Sequence, residues 1–432
     1  MNTDIAADKL LDFIAGSPSS FHAAAGAKQR LLDAGFTELL PAQSNWQLQA
    51  GGRYIFAPYD SMLLAFSLGE KPAAGGLRIA AAHTDFPCFK LKPACSIAEN
   101  GYKKLNIEAY GGMILNTWLD RPLSVAGKVA LRGESPFLPD CRLVDFETPL
   151  LTIPNLAIHM NRDVNKGIAL NRQKDMLPLA GLLGGETAVG EFFQTRLAEK
   201  IGCQEEAILA FDLALYPVET GCRLGFDKEL ISSPRLDNLS SVQACVESLL
   251  GGNRDNGINA VALFDHEEVG SRTKQGAGSL LFTQVLERVY MALGLAREDY
   301  LAALSQGYMF SVDAAHAVHP NVPEKSDPTN RPLLNGGVVL KTSASQSYAG
   351  DCEAAAIAKA LCQKYGIEAQ HFVNRSDAVG GSTLGSIAST LLPIRTMDIG
   401  VGMLAMHSVR EVIGATDQLS LENLLRVFFS EA

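Results

Sequence analysis

Five residues of metal-binding type, His83, Asp237, Glu268, Asp313 and His407, stand just beyond apolar runs or at the head of a helical stretch. Open α/β sheets hold their ligands beyond the carboxyl ends of strands, so such residues converge on folding although they are far apart in sequence. Two imidazoles and three carboxylates offer too many oxygens for one tetrahedral zinc and suit two ions sharing one carboxylate. Asp237, in Pro234-Arg235-Leu236-Asp237-Asn238, is the natural bridge. Ions paired about 3.5–4 Å apart acidify a water and polarise a carbonyl, which is the chemistry of amide hydrolysis. Glu267, beside the ligand Glu268, is then free to take a proton from that water and hand it to the leaving amine. Asp85, two residues past His83, is placed to accept from the far imidazole nitrogen and fix its tautomer.

Any one of these residues alone reads more simply as a cap or turn residue. The constellation carries the argument, above all the pair Glu267-Glu268 after an apolar strand, because adjacent carboxylates there are costly unless a cation offsets them. Competing signatures fail. His266-Glu267-Glu268-Val269-Gly270 has Gly270 where H-E-x-x-H needs its second histidine, and Gly380-Gly381-Ser382-Thr383-Leu384 lacks the last glycine of G-x-S-x-G. Gly400-Val401-Gly402 has no helix start after it, and no phosphate-binding P-loop is present.

The elements that must position these residues are legible from period and punctuation. Short apolar runs at Met62–Leu68, Leu77–Ala82, Asn259–Phe264, Gly307–Val312, Gly337–Lys341 and Pro393–Val401 predict strands covered on both faces. Helical spacing predicts helices over Phe21–Ala34, capped by Ser20, and over Leu239–Leu250, Leu280–Leu293, Cys352–Tyr365 and Leu419–Phe429. Between 96 and 232 the texture changes to strands such as Leu105–Tyr110, Ser124–Leu131 and Leu143–Ile153, separated by turn residues. The expected architecture is α/β: a mixed, mostly parallel sheet flanked by helices, formed by 1–95 and 233–432, with residues 96–232 inserted as a β-rich domain.

Composition bounds the function. The formal charge of −10 and the lack of basic runs interleaved with aromatics argue against nucleic acid as a partner. No apolar run approaches the roughly 18 residues of a membrane span, and Met1 to Asp8 lacks the pattern of a secretory signal. Eight scattered cysteines without a C-x-x-C pair read as reduced thiols, so the cytoplasm is the expected compartment and no membrane partner is expected.

With these residues assembled, the sequence resembles the aspartyl aminopeptidase family of dinuclear-zinc metallopeptidases over nearly its whole length. The blocks that carry the likeness are Ala82-His83-Thr84-Asp85, Trp118-Leu119-Asp120-Arg121-Pro122-Leu123, Ile153-Pro154-Asn155-Leu156-Ala157-Ile158-His159, Arg235-Leu236-Asp237-Asn238, Asp265-His266-Glu267-Glu268-Val269-Gly270 and the run from Asp313-Ala314-Ala315-His316 to Asn321. The resemblance implies a zinc-peptidase fold with one ion on His83 and Asp313, the other on Glu268 and His407, Asp237 between them and Glu267 as base. It implies that the insertion is a dimerisation domain and that dimers build a tetrahedral dodecamer admitting peptides. It also implies that His159 reaches a neighbouring subunit's site, and that N-terminal Asp or Glu is preferred. Lys341 matches the family's candidate for the cation that meets the acidic side chain, and the Gly381-Ser382-Thr383 turn completes that pocket with donors.

The chain departs from the family pattern at Pro323-Glu324-Lys325-Ser326-Asp327, where a Lys-His-Glu segment is expected. Ser345-Gln346-Ser347-Tyr348 lacks an arginine, and Gly380 replaces a cysteine. These changes bear on specificity and remove no ligand. The expected activity is a metalloaminopeptidase with two zinc ions per subunit, which mixed imidazole and carboxylate sites would also exchange for cobalt or manganese. Alternatives are an N-acyl amino acid amide hydrolase and a non-catalytic, metal-stabilised oligomeric scaffold.

Overall fold

A run of seven residues, Ile258–Phe264, is buried at every position, as a strand covered on both faces must be. In the computed structural model, which describes residues 2–184 and 190–431, that strand lies inside a nine-stranded sheet. Across the sheet the order is Thr37–Glu38, Arg53–Phe56, Leu63–Leu68, Ile258–Phe264, Leu77–His83, Tyr308–Val312, Arg395–Gly400, Val338–Lys341, Ala369–Phe372. Five neighbouring pairs are parallel and three antiparallel.

Parallel neighbours require crossover helices, and these cover the sheet. The helix Leu236–Gly251 packs on Leu77–His83 and on the helix Ala415–Phe428. It is buried nearly all round, which fits its apolar and small residues. The helix Leu281–Ala292 sends Phe282, Val285, Leu286 and Val289 into a core shared with Phe66, Ile79 and Phe264. The expected α/β class, a mixed and mostly parallel sheet flanked by helices, is the architecture found.

The chain divides into two compact units. The first holds the residues up to Phe86, Gly221–Met406 and those from Glu411 onward, and contains the nine-stranded sheet. It also contains a five-stranded sheet in the order Cys222–Leu224, Leu230–Ser233, Glu411–Gly414, Gly402–Leu404, Ala315–His316. The second holds Pro87–Thr220 and His407–Arg410. Its six-stranded sheet runs Leu138–Asp145, Leu123–Ser135, Ile208–Pro217, Cys88–Glu99, Tyr102–Tyr110, Leu179–Leu182 and is antiparallel throughout. The helix Phe192–Ile201 buries Phe193, Leu197 and Ala198, with the Phe193 ring 6.1 Å from that of Phe211.

Three boundaries differ from the sequence reading. The second unit starts near 87 and leaves near 220, where 96 and 232 were expected, because Cys88–Glu99 is one strand that pairs along both its halves. Pro93 interrupts its apolar pattern and sits where the register shifts between Leu91 and Ser96, a place where a ladder tolerates a residue without an N–H. The strand expected at Leu143–Ile153 is instead Leu138–Asp145, and past Pro149 only isolated bridges at Leu151 and Thr152 remain. The second helix is Ser20–Asp33, with Ser19 and not Ser20 as its cap, accepting from the His22 N–H.

Candidate metal centre

The site is built at strand ends of the first unit. His83 is the last residue of Leu77–His83, and Asp313 directly follows Tyr308–Val312, the parallel neighbour of that strand. Phe264, opposite His83 in the ladder on the other side, leads into the turn carrying Glu267 and Glu268. Asp237 comes from the first turn of Leu236–Gly251. Just before two of these candidate ligands the backbone enters the left-handed region, at Arg235 (φ +60°) and His266 (φ +62°). Such conformations are sparse for residues with a side chain and concentrate where geometry is imposed by a site.

His83 is 1% exposed, and its Nε2 lies 3.6 Å from Asp237 Oδ1 and 3.7 Å from Asp313 Oδ1. These separations are long for hydrogen bonds. They are close to the roughly 3.4 Å between two ligand atoms that hold one zinc at about 2.0–2.2 Å each in tetrahedral geometry. Ligand atoms of His83, Asp237 and Asp313 all lie within 4.8 Å of one another, and so do those of His83, Glu267 and Glu268. Carboxylate oxygens of Asp237 and Glu268 are within 4.8 Å as well, so Asp237 stands between both groups. A donor set of one imidazole and four carboxylates, three of the five residues buried and two half-buried, fits divalent cations, and it would be a costly arrangement without them.

The supporting contacts fix these side chains. His83 Nδ1 donates to the Asp85 main-chain oxygen at 3.0 Å, which leaves the Nε2 lone pair on the ligand side. The tautomer is thus set by a carbonyl, with the Asp85 carboxylate at 3.3 Å as a second neighbour. That carboxylate accepts the backbone N–H groups of both Glu267 and Glu268, each at 3.1 Å. Asp85, 3% exposed, therefore ties the end of one strand to the turn after another.

Electrostatics show how strongly the centre attracts positive charge. Burial by itself would lower the His83 pKa, but Asp313, Asp85 and Glu267 outweigh it and hold the value well above 6.5. Burial raises the Glu267 carboxyl to about 8; His83 opposes the shift, while Asp313, Asp85 and Asp237 add to it. Asp313 goes the other way. Burial would raise it, yet Lys341 and His83 together keep it below the usual carboxylate range.

Lys341, expected to face a substrate's acidic side chain, ends the strand Val338–Lys341. It is 2% exposed, and its Nζ lies 2.9 Å from Ala314 O, 3.2 Å from Asp313 O and 3.4 Å from Asp313 Oδ2. Gly381 and Ser382 are exposed and precede the buried Thr383, and a Cβ on Gly381 would meet open space. His159 occupies an exposed turn of the second unit, closed by a hydrogen bond from Met160 N to Ala157 O. His407, also in the second unit, adopts φ +64° and donates from Nδ1 to Gly112 O at 2.8 Å.

Two supporting residues escaped the sequence reading. Glu411 Oε2 accepts the Asp237 N–H at 2.9 Å, and Asn238 Nδ2 donates to Val312 O at 2.8 Å, pinning Asp237 against the end of the Asp313 strand. Asn238 lies inside a block already singled out by Asp237. Glu411 had no signal beyond being an acid in a short apolar strand.

Comparison with known proteins gives a consistent result. The family model described as aminopeptidase I zinc metalloprotease (M18) matches residues 13–429. A probable M18 family aminopeptidase 2 of Clostridium novyi (strain NT) is 46% identical over 426 residues, covering 98% of each chain. Among solved structures, that of the Ape4 and Nbr1 complex superposes with a TM-score of 0.94 at 33% identity, over 99% of this chain and 86% of its counterpart. The S. cerevisiae mApe1 dodecamer gives 0.83 at 25% identity, over 99% and 98%.

Proposed function

This chain belongs to the M18 family of aminopeptidase I zinc metalloproteases, and from that premise we propose that it removes N-terminal residues, preferably Asp or Glu, from peptides at a two-cation centre. The observation that carries the reading is the convergence of the buried His83, Asp237 and Asp313 with the half-buried Glu267 and Glu268. In this reading His83 and Asp313 hold one zinc, Glu268 and His407 the other, and Asp237 both. Ions so held acidify water and polarise the scissile carbonyl. Cobalt or manganese would fit the same donors.

The protein's own groups do the rest. Glu267 receives the water's proton at a carboxylate oxygen and delivers it to the departing amine nitrogen. Asp85 holds Glu267 and Glu268 through their N–H groups and keeps His83 in one tautomer together with its own carbonyl. His407, with Nδ1–H engaged by Gly112, presents Nε2 as a ligand. The Gly381–Ser382 turn donates to the substrate's side-chain carboxylate, and His159 reaches the site of a neighbouring subunit to meet the oxyanion. The assembly in this reading is a tetrahedral dodecamer built from dimers through the second unit, as one neighbour's description as a dodecamer suggests. None of its eight cysteines is in a disulfide, which suits the cytoplasm.

Substrate profiling with metal analysis on the same sample tests this. Free-amine aminoacyl substrates should turn over, with Asp and Glu ahead of Ala, and N-acylated counterparts should not. Turnover of the acylated series would instead favour an amide hydrolase.

A further inference from the structure

Two blocks of the sequence, Trp118-Leu119-Asp120-Arg121-Pro122-Leu123 and Ile153-Pro154-Asn155-Leu156-Ala157-Ile158-His159, meet in the second unit, and of them only His159 has a place in the proposed reaction. Asp120 makes the junction. It adopts φ +60°, a left-handed conformation that Asp and Asn tolerate better than most residues with a side chain. Its carboxylate holds Asn155 by main chain and side chain: Oδ1 accepts the backbone N–H at 2.8 Å, and Oδ2 accepts from Nδ2 at 2.7 Å. The Asp120 N–H donates in turn to Ile153 O at 2.8 Å. The two sides of this clamp are anchored unequally. Trp118 is buried with its ring 5.1 Å from that of Phe89, and Leu123, also buried, starts the strand Leu123–Ser135. Beyond the buried Ile153 every residue from Pro154 to Met160 is exposed, so packing within the unit does not direct that stretch. Among the described residues, Asp120 is the only one outside 153–161 that hydrogen-bonds any of 154–160.

We propose that Asp120 is a positioning residue for the reaction: through Asn155 it holds the exposed stretch that ends in His159 in the direction from which that imidazole reaches a neighbouring subunit's site. The inference rests on the reading of His159 as the group that meets the oxyanion there. Such a donor acts by being in place beforehand, because orienting it during the reaction would consume the stabilisation it gives. The Asp120–Asn155 pair is itself exposed, where exchange with water leaves a net gain of only about 0.5–1.5 kcal/mol per hydrogen bond. Its two parallel bonds therefore add little to the stability of the fold, and they select one conformation of a stretch that nothing else in the unit fixes. The preceding residues also hold His407: Gly112 O accepts from its Nδ1 at 2.8 Å, the Ile114 N–H donates to its main-chain oxygen at 3.0 Å, and Thr117 Oγ1 accepts the Val409 N–H at 3.0 Å. Zinc content thus tells a change confined to the His159 stretch from one that spreads to His407.

The test is a double-mutant cycle on the assembled, full-length, zinc-loaded protein. Asp120→Gly and Asp120→Asn both accept the left-handed backbone, but only Asn keeps two side-chain contacts, with the Asn155 amide turned over to match. Asp120→Gly should lower kcat about 10- to 100-fold with KM unchanged, since the interaction it weakens is made in the transition state. Asp120→Asn should stay within about threefold of wild type, and both variants should retain wild-type zinc. Hydrogen exchange in a peptide covering 154–160, followed by mass spectrometry without substrate, should quicken in Asp120→Gly and not in Asp120→Asn. In a His159→Ala background, itself about 10²-fold down, Asp120→Gly should add less than about twofold. A loss as large without His159 as with it would overturn the proposal, and so would wild-type kcat in Asp120→Gly. Should Asp120→Gly fail to fold, Asn155→Ala gives up the side-chain contact alone and carries the same cycle, with a loss of roughly 3- to 10-fold. Full kcat in His159→Ala would sink the assigned role of His159 itself, a result distinct from a His159 effect that Asp120 does not influence.

Discussion

At the scale of single residues, Glu267 is the carboxyl proposed to carry the proton, and its surroundings set it apart from an exposed one. Burial lifts its pKa to about 8, His83 opposes that shift, and the carboxylates of Asp313, Asp85 and Asp237 reinforce it. Glu267→Gln preserves shape and removes the proton acceptor, so kcat should fall by about 10²–10⁴ while bound zinc stays at the wild-type level. Full turnover in a metal-replete variant would refute the assigned base. Asp85→Ala separates support from chemistry. It leaves two N–H groups without their acceptor, at about 1–3 kcal/mol each where they remain desolvated, and a lowered unfolding midpoint in denaturant should register it. The ligand types were legible in the sequence because imidazole and carboxylate at strand ends are uncommon enough to notice. Lys341 was not legible in the same way: its residue type says cation, and only the fold says that its Nζ lies 3.4 Å from Asp313 Oδ2.

At the scale of elements, the buried strands carrying His83 and Asp313 were readable from apolar runs, since both faces are covered and polar residues drop out. Arg53–Phe56 and Ala369–Phe372 were not, being four residues each and lying towards the margins of the sheet. Gly400, the first glycine of the rejected Gly400-Val401-Gly402 match, has a packing role. A Cβ there would lie 2.0 Å from Asp313 O, a backbone atom with no freedom to move aside. Gly400→Ala should displace the Asp313 strand end, cost about 1–3 kcal/mol of stability and weaken zinc binding, both measurable on one preparation by unfolding and metal titration.

A second element-scale device is the start of the helix Ala415–Phe428, where Asp417 accepts N–H groups from Asn335 at 2.7 Å and Gly337 at 2.8 Å. Burial outweighs these donors and raises its carboxyl from 3.8 to about 7. The folded state thus binds this proton more firmly than the unfolded chain does. The associated stability is complete below 3.8 and is lost as pH rises through about 7. Asp417→Asn removes the titration. The stability of wild type minus that of the variant should therefore decrease between about pH 4 and pH 8, and a flat difference would contradict the assigned shift.

At the scale of the whole molecule, metal binding and assembly draw on different residues. Four of the five proposed ligands, His83, Asp237, Glu268 and Asp313, belong to the first unit, and the described exposed apolar side chains of the second include Phe137 at 93%, Leu138 at 68% and Met160 at 72%. Leu138 opens the strand Leu138–Asp145, with Phe137 in the turn before it, and that strand is an edge of its sheet with one row of backbone groups unpaired in that sheet. An exposed apolar edge is an aggregation hazard for an isolated chain and an asset where copies of one chain associate. Two perturbations should then dissociate from each other. Chelation should abolish hydrolysis while light scattering still reports the intact particle, because the exposed apolar edge is untouched. Leu138→Lys should shift the particle to smaller species while each subunit retains its zinc. If chelation instead takes the particle apart and the assembled form never hydrolyses a peptide, the ions are structural and the scaffold reading replaces the enzymatic one.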